Sequence, residues 1–278
     1  MYPPARIVCL SQDATETLYL LGEQHRIVGI SGYTVWPPQA RKEKPRVSAF
    51  ISADIPKILA LEPDLVLTFS DLQAEIVAEL IRAGVAVHAF NQRTVAEILE
   101  TILTLGALVG AAERAGMLVE RLAANLETTR RRSAARAGRP KVYFEEWDEP
   151  MIAGIAWVSE LIDIAGGIDI FPELAGGKSA RDRLVTADEV IRRAPDIIIG
   201  SWCGKKFGKD KVAARPGFAA IPAVRQHNLH EIKSALILQP GPVALTEGVA
   251  ALEAIIGASV QGPGGSAATQ GPAGIAIS

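Results

Sequence analysis

Residues 6–30 read RIVCLSQDATETLYLLGEQHRIVGI, and their pattern decides the fold. RIVCL is a short continuous apolar run of the kind a sheet buries. ATETLYLLG sets apolar residues at helical spacing until Gly22 stops it, and RIVGI returns as a strand. The alternation continues outward. SGYTVWPPQARKEKPRV (31–47) is a Pro-rich loop carrying Tyr33 and Trp36. After it come a helix from about Asp54, the strand DLVLTF (64–69), the helix AEIVAELIRAG (74–84) and the strand VAVHAF (85–90). Strands alternating with helices predict an α/β class with a mostly parallel sheet covered on both faces.

After Asn91 the strands stop. From about Thr94 to Arg136 the chain is helix-forming, interrupted only near LVGAAER, and AGMLVERLAANLETTRRRSAARAG (115–138) is strongly amphipathic with a basic end. The arginines Arg130, Arg131 and Arg132 read as a last turn that suits the helix dipole. A second α/β half follows: strand KVYFEEW (141–147), helices VSELIDIAGG (158–167) and VTADEVIRRA (185–194), strand DIIIGSW (196–202) and a final helix in PVALTEGVAALEAII (242–256). The halves echo each other, since LALEPDLVLTF and IRRAPDIIIGSW both run from a helix end through Pro-Asp into a buried strand. The expected organisation is a lobe over 1–107, one long rigid connecting helix over 108–138, a second lobe over 139–258 and a disordered, Gly/Pro/Ser-rich tail over 259–278.

The 278 residues carry 29 basic and 31 acidic side chains, which gives no broad positive footprint and argues against nucleic acid as a partner. No apolar run reaches the roughly 18 residues of a membrane-spanning helix. MYPPARIVCLSQDATE has no charged region followed by an apolar one, which leaves a cytoplasmic protein, a mature form and a trimmed or misassigned start all open. Cys9 and Cys203 read as two core thiols rather than a disulfide. The histidines lack metal-site spacing, so no metal is expected.

Enzyme signatures are missing: no GxSxG, no GxxxxGK[ST], and no GxGxxG that opens a helix after a strand. GGKSARDR (176–183) lacks the strand that should precede a phosphate loop and reads as a surface loop. Glu145 and Glu146 lie side by side in a strand and so face opposite sides, which favours a solvated strand end over a catalytic dyad. Aromatics are more telling. Tyr33, Trp36, Phe50, Trp147, Trp157, Trp202 and Phe207 mostly fall where a strand runs out into a loop, the end of an open α/β sheet at which ligands bind.

These residues match a family. RIVCLSQDATETLYLLGEQHRIVGISGYTVWPPQA with KILALEPDLVLTF resembles the opening of the periplasmic binding proteins for vitamin B12 and iron-siderophores, two α/β lobes joined by one long helix. FEEWDEPMIAGIAWVSELIDIAGG (144–167) resembles the start of their second lobe, particularly in the cobalamin-binding branch. The resemblance covers about residues 5–257. It implies a non-enzymatic, monomeric, periplasmic protein that carries cobalamin or a related corrinoid as transported ligand, without a cofactor of its own, to an ABC permease. Haem or a ferric siderophore is the alternative ligand, and a cytoplasmic corrinoid-handling protein or enzyme on the same fold is the alternative role.

For the ligand site the resemblance implies Tyr33 and Phe50 on the first lobe and Trp147, Met151 and Trp157 on the second. Trp36 and Trp202 join them from their places at strand ends. Glu160 and Asp163 would serve their own helix, and Gly166-Gly167 would end it. Two departures stand out. Permease docking in the family uses one glutamate per lobe, and the matching positions here are Pro56 and Asp188, which leaves Asp188 and the nearby Asp54 as the docking carboxylates. ALILQPGPVAL (235–245) has Ala235, Ile237 and Gln239 where the B12-binding member has charged residues, so ligand orientation would fall to Gln239, Lys205 or Lys206.

Overall fold

A computed structural model describes residues 3–261. The first sheet contains β1 (Ile7–Cys9), β2 (Ile27–Ser31), β3 (Arg46–Ser48), β4 (Leu65–Phe69) and β5 (Val87–Phe90), in the order β3-β2-β1-β4-β5 with every pair parallel. Helices α1 (Gln12–Leu20), α2 (Ala40–Glu43), α3 (Ile55–Leu59) and α4 (Ala74–Arg82) connect the strands. The continuous apolar runs become central strands: β1 and β4 are buried along their whole length. The three-residue β3 was not legible in its Pro-rich surroundings.

Helix α5 (Val95–Leu108) leaves this sheet, and the chain turns at Gly110 into α6 (Ala112–Ala134), the long connecting helix. At 23 residues it spans about 34 Å. Leu118, Leu122 and Leu126 recur every four residues and are buried along one stripe. The crossing with α5 depends on Gly106, where an added Cβ would come within 2.3 Å of the Ala115 Cβ.

The second sheet holds β6 (Lys141–Asp148), β7 (Met151–Ala153), β8 (Ile168–Asp169), β9 (Ile197–Gly200) and β10 (Leu229–Glu231). Its order is β10-β9-β6-β7 with β8 beside β6, parallel throughout except for the antiparallel β6-β7 hairpin, which the sequence reading did not anticipate. Helices α7 (Ala156–Ile164), α8 (Ala187–Arg193), α9 (Lys209–Ala213), α10 (Pro222–Arg225), α11 (Ser234–Ile237) and α12 (Val249–Gln261) complete the lobe. Because α12 runs to Gln261, the first three residues of the expected tail are helical. The remainder of that tail lies outside the described residues.

The sequence echo is structural. Glu62 and Ala194, each just before the Pro-Asp pair, have φ of 47° and 48°. The following carboxylates then anchor the first strand of each lobe: Asp64 accepts from the Arg6 N–H at 2.9 Å, and Asp196 from the Lys141 N–H at 2.8 Å. Gly166 closes α7 in the left-handed conformation, with Gly167 N–H returning to the Ile162 carbonyl at 2.9 Å. Glu160 and Asp163, by contrast, do not serve their own helix. Glu160 accepts from the Val95 N–H at the start of α5 (2.7 Å), and Asp163 pairs with Arg130 and Arg139. Arg132 likewise reaches α12, where it and Arg136 hold Glu253. One hydrophobic core runs through α1, α5, α6, α7 and α12 from the first sheet to the second, so the lobes share packing and not only a connector.

Candidate functional site

The carboxyl ends of the two sheets face each other, and polar bonds across the gap fix this arrangement. Gln12, which opens α1, donates its amide to the Ala235 carbonyl of the second lobe at 2.8 Å, and its oxygen accepts from Val35 N–H and Trp36 N–H. Gln92, just past β5, donates to both Asp13 Oδ2 (2.9 Å) and the Pro240 carbonyl (3.0 Å). A recess of about 420 Å³ opens between the lobes, lined by Val35 on one side and by Trp202, Lys205, Lys206, Lys233 and Ala235 on the other.

The loops after β2, β3 and β4 present exposed apolar side chains at this end of the first lobe, of which Val35 lines the recess. Tyr33, Val35, Ile51 and Leu72 are exposed there, Ile51 to 69%. Tyr33 sits in a tight turn in which its N–H donates to Ser31 Oγ at 3.2 Å. Phe50 is half-buried, and its carbonyl accepts from the Gln73 amide, so the loop that carries it is tied to the body of the lobe. Trp36 turns inward instead, half-buried with its side chain against the Glu16 carboxyl. Ile51 and Leu72 were missed by the sequence reading. Their only signal is that they follow strand ends.

The second-lobe wall is aromatic and basic. Trp147 is half-buried, donates its indole N–H to the Glu149 carbonyl at 3.0 Å and, like the half-buried Met151, packs against the second lobe's own apolar cluster. The Lys205 ammonium lies 4.1 Å from the Trp147 ring centre and 4.9 Å from that of Trp202, and it bonds the buried Asp148. Burial works against the Asp148 charge, but Lys205 and Lys211 hold its carboxyl below the usual range. Trp202 reaches the recess while otherwise buried, with its N–H on Glu145 at 3.1 Å. Glu145 is fully buried rather than at a solvated strand end, and it accepts from Tyr143, Trp202 and both terminal nitrogens of Arg215. Glu146 faces the other way, to Arg183.

Trp157 is not on an open wall. It is 3% exposed in the shared core and donates its indole N–H to the Ile237 carbonyl at 2.8 Å, so it joins α7 to α11 instead of offering a face to a ligand. Gln239 is half-buried in the loop over α1, where its carbonyl accepts from Gly241 N–H. Cys203 is exposed, contrary to the reading of two core thiols. Cys9 is buried, and burial pushes its thiol up to about 12. Asp54 caps α3 by accepting from Lys57 N–H at 3.0 Å, Asp188 stands in the first turn of α8, and both are exposed. Among the described residues no group of three or more His, Cys, Asp or Glu is arranged to hold a metal ion.

The floor of the cleft was not legible at all. Asp13 and Glu16, to which the sequence reading gave no role, are 2% and 3% exposed. Gly241 of the second lobe lies against them so closely that a Cβ there would meet Asp13 Cβ at 2.8 Å. Burial raises Asp13 to about 6 against the opposing pull of Ser11 and Gln92. Burial also raises Glu16 to about 8, offset in part by Val243 N–H and Trp36.

A family model described as periplasmic binding protein matches residues 7–236. The vitamin B12-binding protein of Vibrio cholerae is 28% identical over 204 residues, covering 72% of this chain and 71% of the relative. An ABC transporter substrate-binding lipoprotein of Bacillus subtilis is 24% identical over 255 residues, 88% and 78% of the respective chains. Among solved structures, a periplasmic haem-binding protein from Roseiflexus sp. RS-1 superposes with a TM-score of 0.76 at 25% identity, covering 90% of this chain and 98% of that one.

Proposed function

The chain belongs to the periplasmic binding protein family, and from that premise we propose that it captures a corrinoid, cobalamin first among them, between its lobes and delivers it to an ABC importer. The observation that carries this reading is the recess between the lobes, lined by Val35 from the first and by Trp202 and Lys205 from the second, with Tyr33 and Ile51 exposed on first-lobe loops and Trp147 beneath Lys205 offering further apolar surface to a ligand on this reading. A broad, flat ligand gains most from such walls, since rigid aromatic side chains give large contact area at small entropic cost. The likeness to B12-binding relatives supports the same ligand.

Haem or a ferric siderophore is the second reading, favoured by the lysines on the second-lobe wall and by the likeness to a haem-binding structure. On the proposed role the protein acts outside the inner membrane as a monomer, and docks to its permease through Asp188 on one lobe and Asp54 on the other. The core shared by the lobes allows only modest closure, so affinity must come from a cleft that is largely preformed.

The test is titration with cyanocobalamin followed by tryptophan fluorescence and calorimetry, with haemin in parallel. Saturable one-to-one binding of cyanocobalamin upholds the corrinoid reading. Binding of haemin alone replaces the ligand and keeps the site.

A further inference from the structure

The two walls differ in charge as well as shape. The first-lobe rim offers Tyr33, Val35, Ile51 and Leu72 and no exposed cation among them. Opposite, the segment CGKKFGKDK (203–211) and Lys233 bring five lysines to the rim of the second lobe. Two adjoining recesses are lined by them: Lys205, Lys206 and Lys233 in the one between the lobes, Lys206, Lys209 and Lys211 in its neighbour, which has a volume of about 380 Å³.

Their carboxylate partners are largely spent. Asp148 is shared by Lys205 and Lys211, Glu149 is held by Lys211, and Glu231 is bound by Lys233 at 2.7 Å. Burial opposes the Glu231 charge, yet Lys233 and the Phe207 N–H keep that carboxyl below its usual range. Lys206 and Lys209 form no ion pair among the described residues, although the Lys206 charge reaches Glu231, which lines both recesses, and Asp210 is the one remaining carboxylate on the segment.

Resting on the reading of this cleft as a macrocycle site, we infer that the ligand is two-faced: its apolar face lies on the first-lobe rim and its edge presents carboxylates to Lys206 and Lys209. Lys205 and Lys233 are offset by Asp148 and Glu231, so the net positive charge at the rim comes from Lys206 and Lys209. Exposed ammonium groups at a binding rim act on encounter and on selection by charge, and their effect is screened by salt. An edge of uncharged amides leaves these two lysines solvated and gains nothing from them. The chemistry fits an acidic corrinoid or a haem equally, and the test separates these sources.

The experiment measures dissociation constants at low and at raised ionic strength for two matched pairs of probes: cyanocobalamin against its derivative with peripheral amides hydrolysed to carboxylates, and haemin against haemin dimethyl ester. Parent protein is compared with Lys206→Gln/Lys209→Gln and with Lys42→Gln, an exposed first-lobe lysine that serves as a charge control. At low salt the acid of at least one pair should bind about tenfold tighter than its uncharged partner. That preference, read as the ratio of acid to uncharged affinity within each protein, should collapse in the double variant and persist in the control. A preference confined to the haem pair keeps the inference and replaces the corrinoid. Equal binding of acid and uncharged forms overturns the inference but leaves the cleft reading intact, as does a preference that survives in the double variant. Failure of all four probes to bind overturns both.

Discussion

Gln12 donates its side-chain amide to the backbone carbonyl of Ala235, and this 2.8 Å bond crosses from one lobe to the other beneath the recess. The same side chain accepts from the N–H groups of Val35 and Trp36, so it sets the apolar rim and the lobe spacing together. Gln12→Ala leaves two N–H groups and one carbonyl without partners. Each such loss costs about 1 kcal/mol or more. Urea unfolding should show a loss of about 2–3 kcal/mol, and hydrogen exchange should rise at Val35 and Trp36. Unchanged exchange there would mean the bond does not organise the rim.

A pH dependence follows from the floor of the cleft. In the folded protein Asp13 and Glu16 are raised to about 6 and about 8, from ordinary values of 3.8 and 4.5. Between the ordinary and the raised values the native state holds more protons than the unfolded chain, so the stability they contribute is complete below about pH 4 and falls as pH rises through 8. His88 and His230 are both lowered by burial and act in the opposite sense below their ordinary range. The discriminating measurement is therefore the difference between parent and Glu16→Gln in urea unfolding from pH 5 to pH 9. The variant should gain on the parent with rising pH and exceed it by about 2–4 kcal/mol at pH 9. Parallel curves would show that Glu16 does not titrate in this range.

Why the floor escaped a sequence reading is physical. In SQDATETLYLL the apolar residues mark one helical stripe correctly, and the opposite face should then be wet. Here Gln12, Asp13, Thr15, Glu16 and Thr17 are buried as well, and Gly241, far away in sequence, packs directly on Asp13 and Glu16. Periodicity also has no means of placing Glu145 on Arg215 or Trp157 on Ile237, since both depend on long-range packing. What was legible were the long apolar strands, the connecting helix, the repeated Pro-Asp unit and the positions of Tyr33 and Trp202 just past the ends of β2 and β9, while Trp157 falls inside α7. The short strands β3, β7 and β10 hold three residues each, too few to show a period.

Trp157 and Trp147 should respond differently to truncation. Trp157→Ala opens a large cavity in the shared core and frees the Ile237 carbonyl, so a loss of about 3–5 kcal/mol in unfolding free energy is expected. Trp147→Ala removes a half-buried ring from beneath Lys205 and, on the proposed reading, should lower ligand affinity with a smaller stability loss. Calorimetric binding beside denaturant unfolding for both variants checks this. Equal stability losses would place the two rings in the same environment, against the structure.

Glu145 and Arg215 form a buried ion pair, with the Glu145 side chain fully enclosed and that of Arg215 13% exposed. Removing only the cation strands a charge, so Arg215→Met should cost about 3–5 kcal/mol. Adding Glu145→Gln removes the stranded charge and should recover most of that loss, while Tyr143 and Trp202 keep a hydrogen-bond acceptor. The thermodynamic cycle over the two single variants and the double variant measures the coupling. An additive result would show that water reaches Glu145.

Lys205 lies over the indole faces of Trp147 and Trp202, the faces a ligand would need on the proposed reading. Its ammonium sits over Trp147 and Trp202 while bonded to Asp148, and Asp148 retains Lys211 if Lys205 is lost. Ligand stacking on these rings must first displace a cation whose contact with an aromatic face is worth about 0.5–1 kcal/mol at an exposed site. Lys205→Gln removes that competition, so an uncharged macrocycle should bind about two- to fivefold tighter, at some cost in stability because the buried Asp148 then keeps Lys211 alone. A carboxylate-bearing macrocycle loses a nearby positive charge at the same time, so its gain should be smaller or reversed. Weaker binding of the uncharged ligand would instead show that Lys205 supports the bound state directly and that the indole faces are not where the ligand stacks.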